Sequence, residues 1–119
     1  MEKTAQEAIR LRTSGKAVVV DFLRGELKDE REILRLLEKL GELLDKRQKV
    51  NLVLNLEKLT YVSSAGIGAF VKLLKRVSAQ NGTLCLCRVA GDVQEVLQVM
   101  HLDKIIGLHA TEEEALAAL

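Results

Sequence analysis

The spacing of apolar residues along the chain changes period several times, from about two to about 3.6 and back. Glu7–Leu11 alternates weakly, Ser14-Gly15 marks a turn, and Ala17–Phe22 is a denser run of β-forming residues, so the opening reads as a hairpin. Gly25 to Asp29 connects it to a helical stretch over Glu30–Lys46, where Ile33, Leu37, Leu40 and Leu44 recur at helical spacing. Val50–Leu56 is an apolar run of strand length, suited to the centre of a sheet covered by helices. Ala65–Ala79 is helical again, with Ile67, Phe70, Val71, Leu74 and Val77 on its inner side.

Asn81-Gly82 then signals a turn and Thr83–Val89 a strand. Asp92 is placed to cap a helix with Val93, Val96, Leu97 and Met100 facing inward, and Ile105–Leu108 reads as a last short strand. Thr111-Glu112-Glu113-Glu114 matches a capping box for a terminal helix through Leu119, with three acids in the turn where the helix dipole favours them. The order β-β-α-β-α-β-α-β-α predicts one α/β domain over residues 1–119. Its sheet is mixed and mostly parallel, of about five strands with about four helices and an antiparallel edge.

Composition narrows the function classes. Eighteen Lys and Arg against 17 Asp and Glu give a formal net charge of +1, so no global field draws polyanions. Two Phe, one Tyr and no Trp leave little material for stacking bases, and direct nucleic-acid binding is not expected. The apolar runs are far too short to span a bilayer, and the polar opening Met1-Glu2-Lys3 lacks the apolar stretch of a signal peptide. Cys85 and Cys87 stand two apart on one strand and point the same way, a poor arrangement for a disulfide. A reducing, cytoplasmic setting follows as the expectation.

The candidate chemistry lies in Leu59–Phe70, where a strand runs into a helix through two adjacent hydroxyls and two glycines. Ser63 or Ser64 can cap the helix, and the same free N–H groups can receive an anion such as phosphate. Known phosphate and nucleophile loops do not fit. A dinucleotide loop needs glycine where Val71 stands, a P-loop needs a Gly-Lys-Ser/Thr ending that is missing, and a nucleophile elbow on Ser64 needs glycine at Val62. His101 and His109 have no Cys partner at zinc spacing, and no Ser-His-Asp or paired-carboxylate arrangement emerges. No catalytic residue, metal or cofactor is therefore expected.

Away from its apolar side, the same helix carries Ser64, Gly68 and Lys72 at intervals of four, followed by Lys75 and Arg76. Ala65, Gly68 and Ala69 are small enough to leave a flat approach for another protein. A solvated helix with cations near its C-terminus accounts for the basic residues equally well.

The order of elements and this segment together resemble the STAS domain, the fold of bacterial anti-sigma factor antagonists. Gly25-Glu26-Leu27 is similar to the family's Gly-Glu-Leu-Asp turn, and Val53-Leu54-Asn55-Leu56 to its Val-Leu-Asp-Leu strand. Leu59–Gly68 is similar to the signature ending Asp-Ser-Ser/Thr-Gly-x-Gly, and Leu97 through Ile106 to the Leu-x-x-x-Gly-Leu-x-x-x-Phe ending. The family commonly carries aspartates where this chain has Lys28, Asn55 and Ser63, and a hydroxyl where it has Ala65.

Aligned on Gly66-Ile67-Gly68, the resemblance implies Ser64 as a phosphoacceptor, with Ser63 as the second candidate. It implies a partner anti-sigma factor acting as a serine kinase, and control of sigma-factor-dependent transcription. It also implies a partner-binding surface of Lys28, Asn55, Ser63, Ser64, Ala65, Gly66, Gly68, Ala69 and Lys72. The alternative it implies is a non-phosphorylated binding subunit, for example of a phospholipid transport complex.

Overall fold

In the computed structural model, which describes residues 9–47 and 49–119, the opening hairpin is β1 (Ile9–Ser14) and β2 (Ala17–Phe22). The strands pair antiparallel from Ile9↔Phe22 to Ser14↔Ala17. Their two-residue turn places Gly15 at φ 58°, a left-handed conformation that matches the twist of the strands and that glycine adopts without penalty. Glu7 and Ala8, part of the expected first strand, lie outside the described residues.

The remaining elements are β3 (Glu26–Leu27), α1 (Glu30–Lys46), β4 (Asn51–Asn55), β5 (Tyr61–Val62), α2 (Ser64–Ala79), β6 (Leu84–Cys87), α3 (Gly91–Val99), a 3-10 turn (Leu102–Lys104), β7 (Gly107–His109) and α4 (Glu112–Ala117). Five strands form one sheet in the order β1-β2-β4-β6-β7, antiparallel at the β1 edge and parallel elsewhere. A second, two-stranded parallel ribbon pairs β3 with β5. The mixed sheet and four helices are those expected, and the ribbon is additional: two-residue strands are too short to carry a readable period.

Both faces of the central β4 are covered, which explains why Leu52, Val53 and Leu54 form an unbroken apolar run with no exposed surface. On one face, Val18, Val20, Leu52, Leu54 and Leu86 pack with Leu40 and Leu44 of α1, Phe70 and Leu73 of α2, and Val93 and Leu97 of α3. Phe22 meets Phe70 edge to face at 6.3 Å. On the other face, Ala17, Val19, Val53, Cys85 and Cys87 pack with Ala115 and Leu116 of α4. Both cysteines are free thiols, and burial pushes Cys87 up to about 11, so it stays protonated and inert.

The helices meet the sheet on slightly rotated faces. In α1, Leu36 joins Ile33, Leu40 and Leu44 in the core while Leu37 is only partly buried. In α2, Ala69 and Leu73 join Ile67, Phe70 and Val77 in the core, while Val71 and Leu74 lie at the flanks. In α3 only Val93 and Leu97 are buried, whereas Val96 and Met100 face solvent. The chain turns at His101 (φ 61°) into the 3-10 turn, so Leu102 and Ile106 fill the space that a longer α3 would have covered.

Asp92 is not the cap of α3. Ala90 occupies that place, and Asp92 lies in the first turn, where its charge still suits the dipole. The last strand is Gly107–His109, displaced from Ile105–Leu108, and α4 ends at Ala117. Thr111 caps α4 by accepting from Glu114 N at 3.1 Å, while the Glu114 carboxylate accepts from Ala110 N rather than completing the box on Thr111.

A polar cluster fastens α4 to the sheet. Asp21 is 9% exposed and accepts hydrogen bonds from Arg12 (Nη2 to Oδ1, 2.9 Å) and Arg10 (Nη2 to Oδ2, 3.1 Å). Arg12 Nη2 also reaches Glu112 Oε1 of α4 at 2.7 Å. The hydrogen bonds from Arg12, then those from Arg10, hold the Asp21 carboxyl below its ordinary value despite its burial. A lowered folded-state pKa means that this stabilisation is present above the unfolded value of about 4 and is lost as pH falls through the folded value. Asp21→Asn is expected to lower stability by about 1–3 kcal/mol at pH 7. The gap from wild type should narrow near pH 2.5, as read by urea unfolding at both values.

Candidate functional site

The segment leading into α2 is held by main-chain hydrogen bonds to the β2–α1 connection. Thr60 and Tyr61 N–H groups donate to Gly25 O at 2.7 and 3.2 Å, and the Thr60 hydroxyl donates to the same carbonyl at 3.1 Å. Ser63 N–H donates to Leu27 O at 2.9 Å. Leu56 and Leu59 anchor the preceding loop in the core with almost no exposed surface. The β3–β5 ribbon therefore fixes where α2 begins.

The two serines at that point differ. Ser63 is the N-cap, with extended backbone and its Oγ accepting from Gly66 N at 3.1 Å. Ser64 is the first helical residue; it is exposed, and its hydroxyl has no hydrogen-bond partner among the described residues. Its neighbour Ala65 is also exposed and Gly68 is half-buried, so the outer face of the first two turns is low and open.

The other expected site residues separate into three groups. Lys28 is exposed beside the ribbon, its ammonium 3.2 Å from the Glu26 carboxylate, and Lys72 is exposed two turns along α2 from Ser64. Gly66 and Ala69 lie beneath the face, both buried. Asn55 is on the α4 side of the sheet, where its amide donates to Glu112 Oε1 at 3.4 Å and its Oδ1 accepts from Glu57 N at 3.0 Å. The basic stripe is also divided: Arg76 turns across to Asp45 of α1 at 2.6 Å, over Gly41, leaving Lys72 and Lys75 on the open face.

One feature was not foreseen. Tyr61 points outward from β5 and is half exposed, and with Thr60, Val62, Asp92, Val93 and Val96 it lines a shallow groove of about 120 Å³ between the ribbon and α3. A strand of two residues shows too little alternation for the sequence to mark it. Among the described residues no group of His, Cys, Asp or Glu is arranged to hold a metal ion, and no helix is long and apolar enough to cross a membrane.

The STAS domain family model matches residues 9–115. The chain belongs to the STAS domain family. Over 105 residues it is 28% identical to the anti-sigma F factor antagonist of Paenibacillus polymyxa, a similarity covering 87% of this chain and 88% of that one. Its fold is similar to that of an anti-sigma-factor antagonist (STAS) domain protein from Planctomyces limnophilus, with TM-score 0.83 and 27% identity over 92% of this chain and 96% of the other. It is also similar to SpoIIAA of Bacillus. The unphosphorylated form has TM-score 0.78 and 26% identity over 92% and 93% of the two chains, and the phosphorylated form 0.73 and 25% over 93% and 98%.

The STAS signature glycines have separate physical roles here. A Cβ on Gly66 would lie 2.6 Å from Val62 Cγ1 and 3.0 Å from Leu27 O, whereas a Cβ on Gly68 would meet nothing within 4 Å. Gly66→Ala is expected to destabilise the domain by about 1–3 kcal/mol through overpacking against the ribbon. Gly68→Ala should stabilise it by about 0.5–1 kcal/mol through helix propensity. Urea unfolding of the two variants checks the opposite signs.

Proposed function

We propose that this STAS domain is an anti-sigma factor antagonist, a regulatory binding protein rather than an enzyme, and that phosphorylation of Ser64 by its anti-sigma factor kinase controls it. In this reading the unphosphorylated face of Ser64, Ala65, Gly68 and Lys72, bordered by Lys28, docks on the partner and so frees a sigma factor for transcription. The observation that carries the choice of serine is the division of labour at the cap: the Ser63 oxygen is engaged by Gly66 N, while the Ser64 hydroxyl is exposed and unengaged.

In the transfer, Ser64 Oγ bonds to the γ-phosphorus of a nucleoside triphosphate held by the kinase. The bond from that phosphorus to the β–γ bridging oxygen breaks, the nucleoside diphosphate leaves, and the hydroxyl proton passes to a base of the kinase. The product carries about −1.5 to −2 charge at the first residue of α2, where the helix dipole favours it. The domain stays folded, and the cost falls on the contact, which loses a flat approach and gains a dianion. A penalty of about 3 kcal/mol weakens binding roughly a hundredfold.

Phosphopeptide mass spectrometry of the protein from its native host is expected to find phosphate on Ser64. Ser64→Asp should lose the anti-sigma factor in pull-downs, while Ser64→Ala retains it and cannot be switched off. Ser64 free of phosphate under every growth condition, with both variants binding as wild type, would defeat the proposal.

A further inference from the structure

We infer that Lys28 is the intramolecular counterion of a phosphate on Ser64, leaving the Glu26 carboxylate to take it. The inference rests on Ser64 being the phosphoacceptor and adds how the modified site is read. The ribbon supplies the geometry. β3 and β5 pair in parallel with Glu26↔Tyr61 and Leu27↔Val62 in register, and the Ser63 N–H bond to Leu27 O continues the ladder by one step. Leu27 and Val62 turn inward and are buried, so Glu26, Lys28 and Tyr61 project from the outer side. Lys28 thus stands level with Ser63, one residue from Ser64, on a side chain long enough to cross to it.

The present partner of Lys28 is weakly held. Its ion pair with Glu26 joins two side chains that are 59% and 56% exposed, a setting in which such pairs contribute little and exchange readily. A phosphoserine offers nearly twice the charge of a carboxylate and three acceptor oxygens. Other charged groups share the surroundings. Arg24, Arg31, Glu32 and Arg35 line one groove with Glu26 and Lys28, and Arg24 donates to Glu32 at 2.6 Å. Asp29 is occupied in capping α1 at Arg31 N (2.7 Å), Asp92 borders the Tyr61 groove from the α3 side, and Lys72 lies two turns along α2.

The pairing makes Lys28 a two-position element. On Glu26 its ammonium lies at the docking face and is open to an acidic group of a partner. On the phosphate it is withdrawn from that contact and from Glu26, which then faces the groove it shares with Arg24, Arg31 and Arg35. Phosphorylation would then change three features of the face together: the bulk at Ser64, the cation at Lys28 and the anion at Glu26.

The test installs phosphoserine at position 64 during synthesis and follows the second ionisation of the phosphate by 31P NMR as pH is varied. Because the modification is encoded, the titration reads Lys28 whether or not a native kinase modifies Ser64; absence of phosphate in the host would defeat the proposed switch without altering this result. The midpoint is expected to rise by about half a unit in Lys28→Gln and to return to the wild-type value in Lys28→Arg. The difference between wild type and Lys28→Gln should shrink in 1 M salt, where exposed charges are screened. The same midpoint in wild type and Lys28→Gln overturns the inference.

Discussion

The placement of the proposed docking face depends on a small set of main-chain hydrogen bonds, those by which the Gly25 and Leu27 carbonyls receive Thr60, Tyr61 and Ser63. Without them the segment between β4 and α2 would be a surface loop whose path is fixed by the burial of Leu56, Leu59 and Val62 and by the bond from Leu56 N to Cys87 O. With them, it becomes a strand in a second ribbon, and the first turn of α2 starts at a defined height above the sheet. Gly66 packs against Leu27 and Val62 with no room for a side chain, so the helix start and the ribbon are one mechanical unit. The exposed serine is consequently presented on a rigid element, which is what a protein surface read by close contact requires.

The opposite face of the sheet is built on a different principle. Its apolar cluster is small, with two thiols, Ala17, Val19 and Val53 under a helix of six residues. A helix that short has little stability of its own. Besides the packing of Ala115 and Leu116, what holds it is the Arg12 bridge between Asp21 and Glu112, with Arg10 and Asn55 at its margins. Asn55 thereby belongs to this fastening and is separated from Ser64 by the thickness of the sheet. The two faces thus divide the work: one carries the main core and the proposed docking helix, the other closes the sheet with a polar clamp.

Much of this was legible in the sequence because long elements carry periodicity. Seventeen residues of α1 and sixteen of α2 each repeat their apolar stripe several times, and β4 could be placed at the centre from its unbroken apolar run. The candidate site stood out through its paired serines and glycines, but the different positions of the two serines did not. Two-residue strands have no period, so the ribbon was invisible, and with it the reason that Ser63 rather than Ser64 serves as the cap. In α3 the apolar spacing of Val93, Val96, Leu97 and Met100 suggested a four-residue inner face, yet a helix of nine residues ended by a left-handed His101 buries only half of it. Spacing reports which residues share a face, while tertiary packing decides how wide the buried part of that face is.

The near balance of 18 cations and 17 anions conceals how unevenly they are spread. No acid lies within α2, and one of its three cations, Arg76, is spent on Asp45, so Lys72 and Lys75 give the outer face a local positive character. The first turns, in contrast, carry no charge and almost no side-chain bulk, and Lys28 reaches the area from another element. A charge change at Ser64 would therefore act where no carboxylate of α2 dilutes it and where Lys28, exposed and paired with Glu26, stands beside the ribbon. The total of +1 says little about recognition; the placement of a small neutral platform between cations is what would make one added phosphate consequential.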